Sequence, residues 1–254
     1  LLGDPARCDF DAARLIGTAT AECGTFTAAD ASLVNRIWNG PTRVDGTPLW
    51  IGAVRGSDLR ALSNSSGTPL EPQAMGITLD WFRYFLTQDP GFDWTTVTPE
   101  RYERLFEQSV EQFGLVIGTD NPDLRPFRDA GGKIIVWHGW SDQLISAAGT
   151  IDYYERVLDE MGGARETDEF IRLFMAPGVG HCAGGGPSPT NLLADVIAWV
   201  EQGEAPDSLA AAQTQFGSGE VLRSRPLCPY PQVAQYRGSG DTDEAGSFVC
   251  ADDF

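Results

Sequence analysis

The chain of 254 residues carries 36 acidic and 18 basic side chains, a formal charge of −18 and a pI near 4.3. That excess disfavours a nucleic-acid binder, which needs Lys and Arg against phosphates, and a peripheral protein on an anionic membrane. With 42% hydrophobic residues the chain is too apolar for acidic disorder and long enough to bury a core, so it reads as a soluble globular protein.

In chain order, Thr27 is placed to cap a helix whose apolar face is Leu33, Val34, Ile37 and Trp38, ending at Gly40. Residues 39–76 are dense in Gly, Pro, Ser and Asn, which predicts a mostly irregular chain. Trp50, Trp81, Phe82, Tyr84, Phe85, Phe92 and Trp94 make this half rich in aromatic rings. Pro99 then opens a second helix, with Tyr102, Leu105, Phe106, Val110 and Phe113 on one face and Gly114 beyond it.

The second half changes character. Lys133 to Trp137 (KIIVW) is a short apolar run bounded by glycines, the signature of a buried strand. Ile151, Tyr154, Leu158 and Met161 mark an amphipathic helix, and Phe170 to Met175 (FIRLFM) a second strand. A Gly-rich loop leads to a helix carrying Leu192, Leu193, Val196, Ile197 and Val200. Strand, helix, strand, helix at this spacing predicts a parallel α/β sheet, with a domain boundary near residue 125.

Functional residues of open parallel sheets gather where loops leave the carboxyl ends of strands. Two loops qualify here: His138-Gly139-Trp140-Ser141-Asp142 after the first strand, and Pro177-Gly178-Val179-Gly180-His181-Cys182 after the second. An Asp that accepts the imidazole Nδ1–H fixes the tautomer and leaves Nε2 to activate a hydroxyl. Asp before His, on successive strand ends, is the order of the α/β-hydrolase triad. No G-x-S-x-G occurs in the chain, and Ser141 sits in G-W-S-D-Q without the closing glycine. The nucleophile is therefore expected upstream, on material outside this chain.

The five cysteines are Cys8, Cys23, Cys182, Cys228 and Cys250. None forms a C-x-x-C pair, and His138 and His181 are the two histidines, which disfavours a structural zinc site. Disulfides are the better default and imply an oxidising compartment, with one cysteine left free or paired outside the chain. No signal-peptide pattern or 18-residue apolar run is found. The opening Leu1-Leu2-Gly3-Asp4, without an initiator Met, reads as a processed or truncated piece.

The segments GGKIIVWHGWSDQLISAAGTIDYYERV, RLFMAPGVGHCAGGG and RPLCPYPQVAQYRGSGDTDEAGSFVC resemble motifs of the tannase and feruloyl esterase family. LLGDPARCDFD is similar to the segment after that family's calcium loop, and GFDW at 91–94 to its lid. The resemblance implies an α/β fold: the C-terminal part of an α/β-hydrolase core (126–254) plus most of a loop-rich lid domain (1–125). It implies a secreted serine esterase cleaving small aromatic esters, feruloyl or chlorogenate type first and tannase next, with Asp142 as the acid and His181 as the base. A phenolic-binding module without catalysis is the rival reading.

By the same resemblance, Cys8 pairs with Cys23 and Cys228 with Cys250. Cys182 would bridge to a companion N-terminal chain that carries the catalytic serine. His138 is either a substrate contact or a residue that packs or hydrogen-bonds beneath the site. Trp50 and Trp81 are either pocket walls or core. No cofactor is expected for catalysis. A structural calcium would be held mostly by the missing upstream segment, with the Leu1 carbonyl as the one ligand here, and the acidic run Asp241 to Glu244 is a solvated turn.

Overall fold

Local signals set the helices of the first half. The structure is a computed structural model that describes residues 5–20, 24–62, 64–66, 71–182 and 184–252. It divides into two units, a loop-rich one of Phe10–Ala53 and Asp58–Asp120, and a sheet unit of Leu1–Asp9, Val54–Ser57 and Asn121–Phe254.

In the loop-rich unit, Thr27 and Asp30 form a capping box that starts α1 (Ala28–Asn39), and Gly40 ends it at a positive φ of 80°. Leu33 on its expected apolar face is exposed, and the buried residue of the helix is Ala31. α2 (Pro99–Ile117) opens on the Thr98 cap but runs through Gly114, where the pattern predicts a stop. One interior glycine costs a helix only about 1 kcal/mol. The bond from the Gly118 amide to the Gly114 carbonyl carries the ladder past it.

Rings from 81–94 and α2 form the core of this unit around Leu86, Phe92 and Leu105. Trp81 stacks on Phe85 at 4.6 Å, meets Phe113 edge-on at 4.9 Å and donates from Nε1 to Ser109 Oγ. Trp50 is 51% exposed. The stretch read as irregular holds two short paired strands, Asn64–Ser66 and Glu71–Gln73, which its composition conceals.

In the sheet unit, β1 (Ile134–Gly139) and β2 (Ile171–Ala176) pair in parallel, from Ile134 opposite Ile171 to Gly139 opposite Ala176. α3 (Ala147–Met161) connects them and α4 (Leu192–Gln202) follows. β2 is buried along its length except at Arg172, whereas β1 is half-buried up to the buried Gly139, and the mainly apolar run of β2 fits packing on both of its faces. Ile171, Leu173 and Met175 pack with Tyr154, Val157 and Met161 of α3 on one face. Phe174 and Ala176 point the other way, with the alternation of a strand.

On that second face they meet β3 (Leu209–Thr214) and β4 (Val221–Leu227), an antiparallel pair, through Leu209, Ala211 and Leu227. β5 (Val233–Tyr236) and β6 (Phe248–Ala251) form a further hairpin. A disulfide from Cys228 to Cys250 ties the end of β4 to β6. Phe170, Ile171, Leu173 and Phe174 are at most 1% exposed. Each contributes about 1.5–3 kcal/mol of burial. No helix among the described residues is long and apolar enough to cross a membrane.

Gly139, the last residue of β1, lies against the Val179 backbone, and a Cβ there would be driven into the Val179 carbonyl. Gly139→Ala should therefore lower stability by about 1–3 kcal/mol. Urea unfolding measures this, and an unchanged midpoint would show that the two loops do not need this close approach.

Candidate active site

The parallel register brings the loops after β1 and β2 side by side. The Trp140 amide donates to the Ala176 carbonyl and the Ser141 amide to the Val179 carbonyl, each at 2.9 Å. Asp142 follows at once and is 6% exposed. A buried carboxylate is costly unless donors reach it, and this one has four.

The amides of Leu144 and Ile145 both donate to Oδ1 at 2.9 Å, an Asx-type turn that closes the loop onto its own carboxylate. Nδ1 of His181 lies 3.0 Å from Oδ2 and 3.2 Å from Oδ1. Nε2 of His138 lies 3.2 Å from Oδ2. Burial alone would raise the Asp142 pKa. The Ile145 and Leu144 amides, then the His181 and His138 rings, outweigh it and hold the group below its ordinary value.

An ionised Asp142 only accepts, so His181 carries its proton on Nδ1. In the neutral ring Nε2 of His181 then carries the lone pair, and it makes no hydrogen bond to a described residue. The ring is partly exposed, with 34% of the side chain accessible. A second bond fixes its backbone, as the His181 amide donates to Gln143 Oε1 at 3.2 Å. The unit thus holds an imidazole with a polarised Nδ1–H and an open basic nitrogen, the arrangement that takes a proton from a hydroxyl.

Asp142, His181 and His138 are brought together. Trp50 and Trp81 belong to the loop-rich unit and are placed as described above. Leu1 and Cys23 lie outside the described residues. Cys8 is an exposed free thiol, as is Cys182, whose backbone takes φ +58°. Sequence reasoning missed Gln143 and Thr150, whose hydroxyl is 2.7 Å from His138 Nδ1. His138 itself was read from the sequence as either a substrate contact or a residue packed or hydrogen-bonded beneath the site, four residues before Asp142.

The description "Tannase and feruloyl esterase" belongs to a family model that matches residues 1–251. The chain belongs to this family. It is 38% identical over 258 residues to a probable feruloyl esterase of Arthroderma benhamiae, covering 97% of the chain and 47% of that relative. A mono(2-hydroxyethyl) terephthalate hydrolase of Piscinibacter sakaiensis is 34% identical, over 94% of the chain and 44% of the relative. The crystal structure of an esterase from Aspergillus oryzae superposes with a TM-score of 0.83 at 28% identity, covering 98% of the chain and 51% of that structure. The chain spans about half the length of the curated relatives it matches.

These matches correct several expectations. The reading of the chain as a C-terminal remnant of a hydrolase core, known by the nucleophile segment it lacks, gives way to the α/β-hydrolase fold of the family. That likeness takes in residues 1–251 and both units. The companion chain is corrected too. The disulfide among the described residues, Cys228–Cys250, is internal, Cys182 is a free thiol, and the family match runs over residues 1–251 of this one chain. Nor does this chain offer Asp and His alone, since Ser141 lies beside the pair with its amide bonded to the histidine loop.

The calcium site is likewise corrected. Among the described residues, no group of three or more His, Cys, Asp or Glu side chains is gathered to hold a metal.

Because the folded carboxylate of Asp142 is depressed, its stabilising bonds are fully present above the unfolded pKa and are lost as pH falls through the folded one. Asp142→Asn puts an NH2 group where only acceptors fit and should cost about 1–3 kcal/mol at neutral pH. The gap between wild type and variant should shrink toward zero in acid. Denaturation series at several pH values measure it, and a gap that stays constant into strong acid contradicts this account.

Proposed function

We propose that the protein is a serine-type carboxylic ester hydrolase that works outside the cell on small aromatic esters. Hydroxycinnamate esters of the feruloyl and chlorogenate type are its first class and gallate esters its second. The observation that carries this reading is the Asp142–His181 bond, made at adjacent parallel strand ends with Nε2 open. The relatives' names support the substrate class, since feruloyl and terephthalate esters share an aromatic acid. The Cys228–Cys250 disulfide fits an oxidising compartment. The loop-rich unit is read as the lid domain.

In the reaction, a serine hydroxyl presented to His181 Nε2 gives up its proton as its oxygen attacks the ester carbonyl. The imidazolium that forms is stabilised by Asp142, which keeps its own charge throughout. His181 then protonates the departing alcohol, leaving an acyl-enzyme. Water repeats the cycle: Nε2 takes its proton as its oxygen attacks the acyl carbonyl, the serine oxygen departs and takes that proton back from His181, and the aromatic acid leaves.

The test combines kinetics with labelling of the protein. Methyl ferulate, chlorogenate and methyl gallate are the substrates. His181→Ala and Asp142→Asn should each lower kcat by roughly 10^3- to 10^6-fold. A fluorophosphonate should label one serine in the wild type, identified by peptide mass mapping, and label His181→Ala far more slowly. Near-normal hydrolysis by both variants would sink the mechanism. Absence of hydrolysis and labelling in the wild type, with phenolic acids still bound, would favour the binding module.

A further inference from the structure

Two imidazoles meet one carboxylate in this site, and the proton transfers of ester hydrolysis use only His181. His138 stands in β1 with 13% of its side chain accessible. Its Nε2 lies 3.2 Å from Asp142 Oδ2 and its Nδ1 2.7 Å from Thr150 Oγ1. Thr150 sits in the first turn of α3. The acceptor at the centre decides the roles of these atoms. A carboxylate without a proton can only accept, so Nε2 of His138 must carry one. A ring protonated there alone has its lone pair on Nδ1, which makes the Thr150 hydroxyl the donor.

We propose that His138 is a positioning residue for the Asp142–His181 pair, held by Thr150 in the tautomer that donates from Nε2 to Asp142. The terminal torsion of an Asp side chain is soft and nearly two-fold, so donors on one oxygen do not fix the plane of the carboxylate. The Leu144 and Ile145 amides anchor Oδ1. The bond from His138 anchors Oδ2, the oxygen nearer His181 Nδ1. Thr150 fastens that ring to α3, whose Tyr154, Val157 and Met161 are buried in the core. A helix packed on the sheet, rather than a loop alone, thus sets the direction in which His181 points. Both ring nitrogens of His138 are engaged inside the unit, which leaves no polar atom of this ring for a substrate.

The kinetic consequence rests on the esterase reading, whereas the tautomer does not. The first readout is therefore a two-bond 1H–15N correlation spectrum of the labelled protein at neutral pH, where the chain's two histidines give two ring systems. The ring lost in His138→Gln should be protonated at Nε2 alone in the wild type. It should shift toward a tautomer mixture in Thr150→Val and be restored in Thr150→Ser.

The second readout is kinetic. Thr150→Val should lower kcat on methyl ferulate roughly ten- to a hundredfold with KM nearly unchanged, because misplacement of a catalytic group acts on the chemical step. Thr150→Ser should recover most of that loss, and Thr150→Val should add nothing on a His138→Gln background. A His138 ring protonated at Nδ1 or at both nitrogens, or a tautomer indifferent to Thr150→Val, overturns the proposal. So does a His138→Gln variant that raises KM and leaves kcat intact, the pattern of a substrate contact. If no ester is hydrolysed, the esterase reading fails while the spectra still decide this one.

Discussion

A carboxylate buried to 6% exposure survives as a charge only where its lone pairs are filled by donors, and Asp142 is the point on which the candidate site depends. Two amides and two imidazoles reach it. Those bonds keep it ionised, and its ionisation favours the proton on Nδ1 of His181 and on Nε2 of His138, the latter held further by Thr150. With one acceptor-only group at the centre, each of the four neighbours turns a proton toward it. The open lone pair of His181 follows from that assignment.

The fold supplies these four donors from three structural sources. The loop after β1 turns on itself to deliver the Leu144 and Ile145 amides. The parallel register of Gly139 with Ala176 sets the histidine loop alongside, where the Ser141 amide and Gln143 side chain fasten it. The close approach at Gly139 permits that contact, since no side chain intervenes. His138 arrives from the strand itself and is steadied by α3. The polar site therefore inherits its rigidity from an apolar core, the two faces of β2 packed against α3 and against the β3–β4 pair.

Much of this was legible in the sequence because the signals were local and strong. KIIVW and FIRLFM read as strands because each is a short, mainly apolar run with a single cationic residue, and Thr27 and Pro99 marked helix starts through capping chemistry. Asp142 and His181 were legible by their order at successive strand ends. The strands after residue 202 were not, since LAAAQT is too small and VLRSRPL too charged to show a period. Thr150 was illegible for another reason: a hydroxyl twelve residues from its partner carries no pattern until α3 is placed. The missing G-x-S-x-G drew the reading toward a companion chain, an argument from absence that the family match over residues 1–251 does not uphold.

The charge of −18 keeps its first meaning, disfavouring polyanionic partners. It says nothing of the chemistry, which turns on one acidic residue out of 36. The carboxyl carbon resonance of Asp142, followed by 13C NMR from neutral to acid pH, tests that residue most directly. The account predicts that Asp142 keeps its charge to a pH below the ordinary aspartate midpoint of about 3.9. Titration at or above that midpoint would mean that the four donors do not hold the charge, and the assignment of both histidines would fall with it.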